Sequence, residues 1–235
     1  MKISEIFYSI QGEGKYTGAP SVFIRTSYCN LRCGWCDTPY TSHKPENKDM
    51  SIDEITEQFK GLGSKRYFVP HVVLTGGEPF IQNKECVELT YRLRDLNPSV
   101  QITIETNGTI FAPVFATLIS ISPKLKSSAP YENQTTKALE KAHETIRTKL
   151  KIKEFRQKYD CQFKFVITKL EDLDEVLGIV DVHNIPQHEV YLMPEGITRE
   201  DLSFKAEKTA QMCLEHGFNY SDRLHVRIWN DARGV

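Results

Sequence analysis

Short apolar runs rich in β-branched and aromatic residues alternate with longer amphipathic segments along this 235-residue chain, and no other feature limits its fold as much. Strands are expected over 21–26, 71–75, 100–106, 117–122, 162–168, 189–193 and 224–229, and helices over 51–60, 84–96, 135–159, 170–182 and 199–216. The first helix has a capping-box start, Ser51 followed three residues later by Glu54. The third carries Leu139, Ala142, Ile146, Leu150 and Tyr159 at helical spacing, the pattern of a buried stripe. Repeated strand–helix alternation predicts an α/β fold with a parallel sheet, open or curled into a barrel. No domain boundary or repeat announces itself, so a single domain over 1–235 is expected, with 126–134 a loop inserted within it.

Composition excludes several functions. Charged residues make up 26% of the chain and the net charge is −1, which leaves no global footprint for direct nucleic-acid or membrane binding. The first ten residues, MKISEIFYSI, carry Glu5 and no long apolar core, so they do not read as a signal peptide. No run of eighteen apolar residues predicts a membrane span. The expected location is a reducing cytoplasm.

Three cysteines, Cys29, Cys33 and Cys36, fall within eight residues in the spacing CxxxCxxC. Three thiolates on one short loop can hold three irons of a 4Fe–4S cluster and leave the fourth iron open for chemistry. The rival is a Cys₃His zinc site with His43 as the fourth ligand. Disulfides would need an oxidising compartment that nothing here suggests. Cys86, Cys161 and Cys213 occur singly and read as buried thiols. His183, His188, His216 and His225 have no metal-ligand spacing and read as surface or helix-end residues.

Ligands in parallel α/β folds bind at the carboxyl ends of strands, so the residues just past each strand carry the most information. The cysteine loop follows the strand at 21–26, and Gly76-Gly77-Glu78-Pro79 follows the strand at 71–75. Asn107-Gly108, Pro123-Lys124 and Pro194-Glu195-Gly196 follow three of the others. Adjacent glycines let backbone approach a ligand closely, although alone such a pair more often marks a turn.

The cysteine triplet with Trp35 just before its third member, followed by Thr75-Gly76-Gly77-Glu78-Pro79 after the next strand, resembles the radical S-adenosylmethionine superfamily. That resemblance implies an open, partial parallel β/α barrel with a helical insertion around 126–160. It implies a 4Fe–4S cluster on Cys29, Cys33 and Cys36 whose open iron is chelated by S-adenosylmethionine. Gly76, Gly77 and Glu78 would hold the methionine amino group, mainly through backbone oxygens, and Trp35 would lie near the adenine. Glu105, Asn107, Ser122, Pro123, Lys124, Met193 and Pro194 would complete that cofactor site.

Further motifs narrow the resemblance. Phe7-Tyr8-Ser9-Ile10-Gln11-Gly12-Glu13-Gly14, then Gly18 and Pro20, then Phe23-Ile24-Arg25, directly precede the cysteine loop; Cys36-Asp37-Thr38 and Glu105-Thr106-Asn107-Gly108 follow. Together these resemble the 7-carboxy-7-deazaguanine synthase family of queuosine and 7-deazapurine biosynthesis, a tRNA modification pathway. Members are lyases that convert 6-carboxy-5,6,7,8-tetrahydropterin to 7-carboxy-7-deazaguanine with loss of ammonia. The adenosyl radical takes and returns the hydrogen at C6, so S-adenosylmethionine is reformed. The resemblance implies a Mg²⁺ ion near Thr38; such a hard cation takes oxygen ligands. It implies a pterin pocket of Ile10, Gln11, Gly12, Glu13 and Thr75, with the planar fork of Arg25 suited to the substrate carboxylate. It also implies a homodimer, an electron donor such as flavodoxin, and a chain end that approaches the pocket without an assigned residue. Two other functions stay open at this point: an activase that generates a glycyl radical on a partner, and a zinc-stabilised binding module.

From 124 to 169 the chain carries twelve Lys and Arg against five Asp and Glu. Such a run is either the solvated face of a long helix or a contact surface for an acidic partner such as a flavodoxin-like electron donor.

Overall fold

The computed structural model describes residues 1–62, 71–131 and 136–235. The strands are β1 (Lys2–Ile10), β2 (Pro20–Thr26), β3 (Lys48–Asp49), β4 (His71–Gly76), β5 (Gln101–Thr106), β6 (Leu118–Ile121), β7 (Cys161–Ile167), β8 (Val190–Pro194) and β9 (Asn219–Tyr220). Among the described residues they form one nine-stranded sheet, ordered β3-β1-β2-β4-β5-β6-β7-β8-β9. From β2 to β9 every neighbour is parallel. The β1–β2 hairpin and the short β3 add an antiparallel edge that the alternation pattern did not predict. Its edge strands do not pair with each other, so the sheet is the expected open, partial barrel.

Period-two alternation divides the two faces of the sheet. Val72 and Leu74 of β4, Ile102 and Ile104 of β5, and Phe163, Phe165 and Ile167 of β7 enter the apolar core beneath the helices. Their in-between neighbours Val73, Thr75, Glu105, Lys164 and Val166 face a cavity on the other side. The helices are α1 (Pro39–Ser42), α2 (Ile52–Gly61), α3 (Asn83–Leu96), α4 (Lys137–Arg147), α5 (Ile152–Arg156), α6 (Asp172–His183), α7 (Arg199–His216) and α8 (Leu224–Trp229). α2 begins with the predicted capping box, both bonds of which are made between Ser51 and Glu54. No helix among the described residues is long and apolar enough to cross a membrane.

Four expectations are corrected. The segment 224–229 is the helix α8, not a last strand. Its apolar residues alternate, but only Val226 is buried, and the Leu224 amide donates to Gly12 O at 2.9 Å, which draws the segment across the cavity mouth. The helix expected over 135–159 is two helices, separated where the Lys151 amide donates to Gly108 O at 2.8 Å. Thr135 and the end of the expected loop, 132–135, lie outside the described residues. The predicted stripe holds only at its end: α4 buries His143 and Arg147 while Leu139 is 45% exposed, whereas Leu150 and Tyr159 pack against the core. α5 supplies further apolar contact, with Phe155 stacked 5.8 Å from Phe80 and tilted against Phe111 at 5.1 Å. The basic run around these helices is not one solvated face, because Arg147 and Lys164 are buried and ion-paired.

His71 opens β4 in the interior, between Ser21 Oγ and Thr103 Oγ1, each 2.8 Å from a ring nitrogen. Burial pushes its imidazole down to about 4, so it is neutral in the folded protein, whereas the unfolded chain takes up a proton near 6.5. The unfolded state therefore binds more protons below neutrality, and stability falls as pH drops from about 6.5 towards 4. The loss from this residue is on the order of 3 kcal/mol. Urea unfolding between pH 7 and pH 4 is expected to show it, with a shallower slope in His71→Gln.

Candidate active site

The cysteine loop leaves β2 at Thr26, where the neighbouring β4 ends in register with it at Gly76. Tyr28 takes a positive φ of 78° to turn the chain, and its carbonyl accepts the Glu78 amide at 2.8 Å. Cys29 and Cys33 then reach the cavity wall. The Leu31 amide points at Cys29 Sγ from 3.4 Å, a donor of the kind that steadies a thiolate, and Cys36 Sγ lies 3.4 Å from Ser42 Oγ. Burial pushes the Cys29 thiol up to about 12 and Cys33 to about 11, so they are uncharged until a cation supplies the charge that lets them ionise. Three free thiols on one loop, Cys33 buried and Cys29 and Cys36 half-buried, two of them opening onto the cavity, fit an iron–sulfur cluster. No group of three or more His, Cys, Asp or Glu among the described residues is arranged to hold a single metal ion. Among the described residues, His43 Nε2 is buried without a hydrogen-bond partner.

The cavity is about 290 Å³ and is bounded by the carboxyl ends of the strands. Gly76 and Gly77 from the β4 turn, Glu105 and Asn107 from β5, Ser122 and Lys124 from β6 and Met193 from β8 line it beside Trp35. Lys124 Nζ donates to Ser122 Oγ at 2.7 Å and lies 5.5 Å from the Trp35 ring centre. Cys36, Glu78, Pro123 and Pro194 are not among the lining residues. The Glu78 side chain turns away from the cavity and is fully buried, accepting the Asn107 amide at 2.7 Å and the Thr106 hydroxyl at 2.9 Å. Burial raises it to about 7.

The opposite wall comes from the end of β1 and from β2. Ile10, Gln11, Gly12, Glu13, Arg25, Thr38 and Thr75 all line it. Glu13 is held between two cations, Lys164 Nζ at 2.6 Å and Arg223 Nε at 3.0 Å. Burial alone would raise the Glu13 carboxyl, but these cations hold it well below its usual range. Lys164 also pairs with Glu105 at 2.7 Å, and Arg223 pairs with Asp37. Burial works to lower Lys164, and Glu105 and Glu13 more than offset it, so the ammonium is firmly charged. Arg25, predicted as an open fork, is already ion-paired through Nε to Glu5 at 2.7 Å.

Sequence reasoning missed Lys164, Arg223, Asp37 and His225, all on this wall. Lys164 had a signal, since it is the one charge inside the apolar run Phe163–Ile167 and must face a polar interior. His225 is corrected from a surface residue: a Cβ on Gly12 would lie 1.9 Å from its Nδ1, so the ring packs on that glycine. Residues 230–235 also border the cavity.

A family model described as the radical SAM superfamily matches residues 23–181. The chain is 40% identical to the 7-carboxy-7-deazaguanine synthase of Halobacterium salinarum, over 99% of this chain and 91% of that protein. It is 41% identical to the protein of the same name from Rhodopirellula baltica, over 99% and 88%. In fold it is similar to the crystal structure of QueE from Escherichia coli, with a TM-score of 0.64 and 22% identity over 95% of this chain and 94% of that one. With a superfamily match over most of its length and relatives this similar from end to end, the chain belongs to the radical SAM superfamily and, within it, to the 7-carboxy-7-deazaguanine synthase family.

Proposed function

We infer that this protein is a 7-carboxy-7-deazaguanine synthase, a carbon–nitrogen lyase that contracts the ring of 6-carboxy-5,6,7,8-tetrahydropterin with loss of ammonia. The observation that carries this reading is a single cavity in which the cysteine loop, the glycine turn and the Gln11-Gly12-Glu13 segment meet. A glycyl-radical activase or a zinc module would have no use for that third element, and neither matches relatives of this kind from end to end.

Cys29, Cys33 and Cys36 would hold the 4Fe–4S cluster, and Gly76, Gly77, Glu105, Asn107, Ser122, Lys124 and Met193 the S-adenosylmethionine beside it. When both are bound and an external donor has given the cluster one electron, they would supply a 5′-deoxyadenosyl radical. The chain's own residues orient the reactants and shield them. Trp35 and Met193 contribute apolar cover that keeps water from the reacting carbons. Glu13, kept ionised by Lys164 and Arg223, presents acceptors to the N–H groups of the aminopyrimidinone edge. Arg25 meets the substrate carboxylate in place of, or together with, Glu5. Thr38, whose hydroxyl donates to Asp37 Oδ1 at 3.3 Å, is the residue we assign to a magnesium ion. A reducing cytoplasm, an electron donor such as flavodoxin and a homodimeric state complete the proposal.

Anaerobic incubation with the carboxytetrahydropterin, S-adenosylmethionine, Mg²⁺ and a reductant is expected to yield 7-carboxy-7-deazaguanine, with S-adenosylmethionine recovered. A colourless protein that binds zinc and no iron would overturn the reading. Cys29→Ala is expected to lose the iron–sulfur absorption and the product together, and full turnover in that variant would remove Cys29 from the cluster.

Glu13→Gln is expected to keep the cluster absorption while KM for the pterin rises roughly 10–100-fold, the usual cost of losing a charged hydrogen bond. An unchanged KM would take Glu13 out of the substrate pocket.

A further inference from the structure

We propose that the insertion between β6 and β7 is a clasp on the cysteine loop, with His143 of α4 the positioning residue that holds the loop backbone. Three donors of the loop are bonded to it. The Arg32 amide donates to His143 Nδ1 at 3.1 Å, the Gly34 amide to Ser128 O at 3.2 Å, and Trp35 Nε1 to Ser127 O at 3.0 Å. Arg32 lies between Cys29 and Cys33, and Gly34 and Trp35 between Cys33 and Cys36, so the bonds fall inside the triplet.

The proton arrangement around His143 admits one solution. A backbone amide only donates, so Nδ1 carries no proton. Nε2 therefore carries it and donates to Ser128 Oγ at 3.0 Å, and the Ser128 hydroxyl donates in turn to Leu125 O at 2.6 Å. Each polar group in this relay is satisfied, and the imidazole is 2% exposed. Burial also favours the neutral ring.

α4 gains little from apolar packing. Its two buried side chains are His143 and Arg147, both polar. Arg147, one turn after His143, donates to Lys124 O at 3.2 Å and pairs with Glu175 at 2.7 Å, which fixes the helix to the end of β6 and to α6. The loop and the insertion also touch closely: a Cβ on Gly34 would lie 2.8 Å from Ala129 O. The clasp rests on the proposed function only in taking this loop as the cluster's cradle. Its consequence is that the three thiols are held in place before iron arrives and are slow to release it afterwards.

The test compares wild type, His143→Leu and His143→Gln in two measurements. One is the rate at which the reconstituted cluster passes iron to a chelator under anaerobic conditions. The other is hydrogen exchange of segment 30–36 in the iron-free chain. His143→Leu is expected to release iron roughly tenfold faster and to lose protection at the Arg32 amide. His143→Gln, whose side-chain oxygen can accept that amide, recovers most of both. Equal rates and equal exchange in wild type and His143→Leu would overturn the clasp, as would protection lost equally across β4 and β5. Should His143→Leu not fold, Ser128→Ala, which removes the acceptor that fixes the tautomer, is read by the same measurements with the same directions. A wild-type chain that takes up no iron would refute the proposed function, and exchange at Arg32 would still decide the clasp.

Discussion

Two glycines determine where the cysteine loop can sit. A Cβ on Gly76 would lie 2.1 Å from Thr26 O, and one on Gly77 would lie 2.2 Å from Tyr28 O. Gly76 also adopts a φ of +138°, which side chains resist. Without side chains at either position, the root of the loop packs directly on the β4 turn, and the Gly77 and Glu78 amides donate to Thr26 O and Tyr28 O. Glu78 then carries the connection onward through its bonds to Thr106 and Asn107 at the end of β5. Loop root, glycine turn and β5 end are therefore one rigid unit, and the position of every candidate ligand on that side of the cavity follows from it.

The other side is held by charge. Lys164 and Arg223 sit among Glu13, Glu105 and Asp37 in a largely buried chain of ion pairs. Taking such groups out of water costs several kcal/mol per ion, and their mutual attraction repays that only when the geometry is good. The network is thus weak evidence for stability and stronger evidence for specificity. It fixes carboxylates at set positions and holds Glu13 and Asp37 ionised, which an apolar wall could not do. Arg25 is held in the same manner by Glu5, which also accepts from Tyr40 at 2.9 Å and from Arg233 at 3.2 Å. The end of the chain is tied into this wall through Arg233, which lies over the Tyr40 ring.

Much of this was legible in the sequence for a physical reason. Parallel strands covered on both faces read as short, nearly continuous apolar runs, so β2, β4, β5, β7 and β8 announced themselves, and residues just past them had to be on the rim. Segments whose order comes from tertiary bonds did not. α8 has the alternation of a strand, but no strand edge receives it and Gly12 O captures its first amide. α4 carries an apolar stripe that stays outside, because the helix is held by His143 and Arg147. Arg223 gave no local sign, since its partners Glu13 and Asp37 are distant in sequence. Lys164 was readable in principle, as a charge flanked by Phe163 and Phe165 in a strand with both faces covered.

The two halves of the cavity are thus built on different physics, and the difference suits their tasks. Cysteines holding a cluster would have to keep fixed separations through many turnovers, and on that side the donors are mostly backbone amides: Leu31 to the Cys29 thiol, Gly34 to Ser128 O, Glu78 to Tyr28 O. Backbone bonds of this kind cannot be exchanged for bonds to a ligand without unfolding the loop. A substrate that enters and leaves needs partners that can be exchanged, and side-chain ion pairs such as Arg25–Glu5 can open to a carboxylate of the same charge at little net cost. Placing the rigid half on the glycine turn and the insertion, and the exchangeable half on β1, β2, β7 and the start of α8, would let substrates come and go without loosening the thiols.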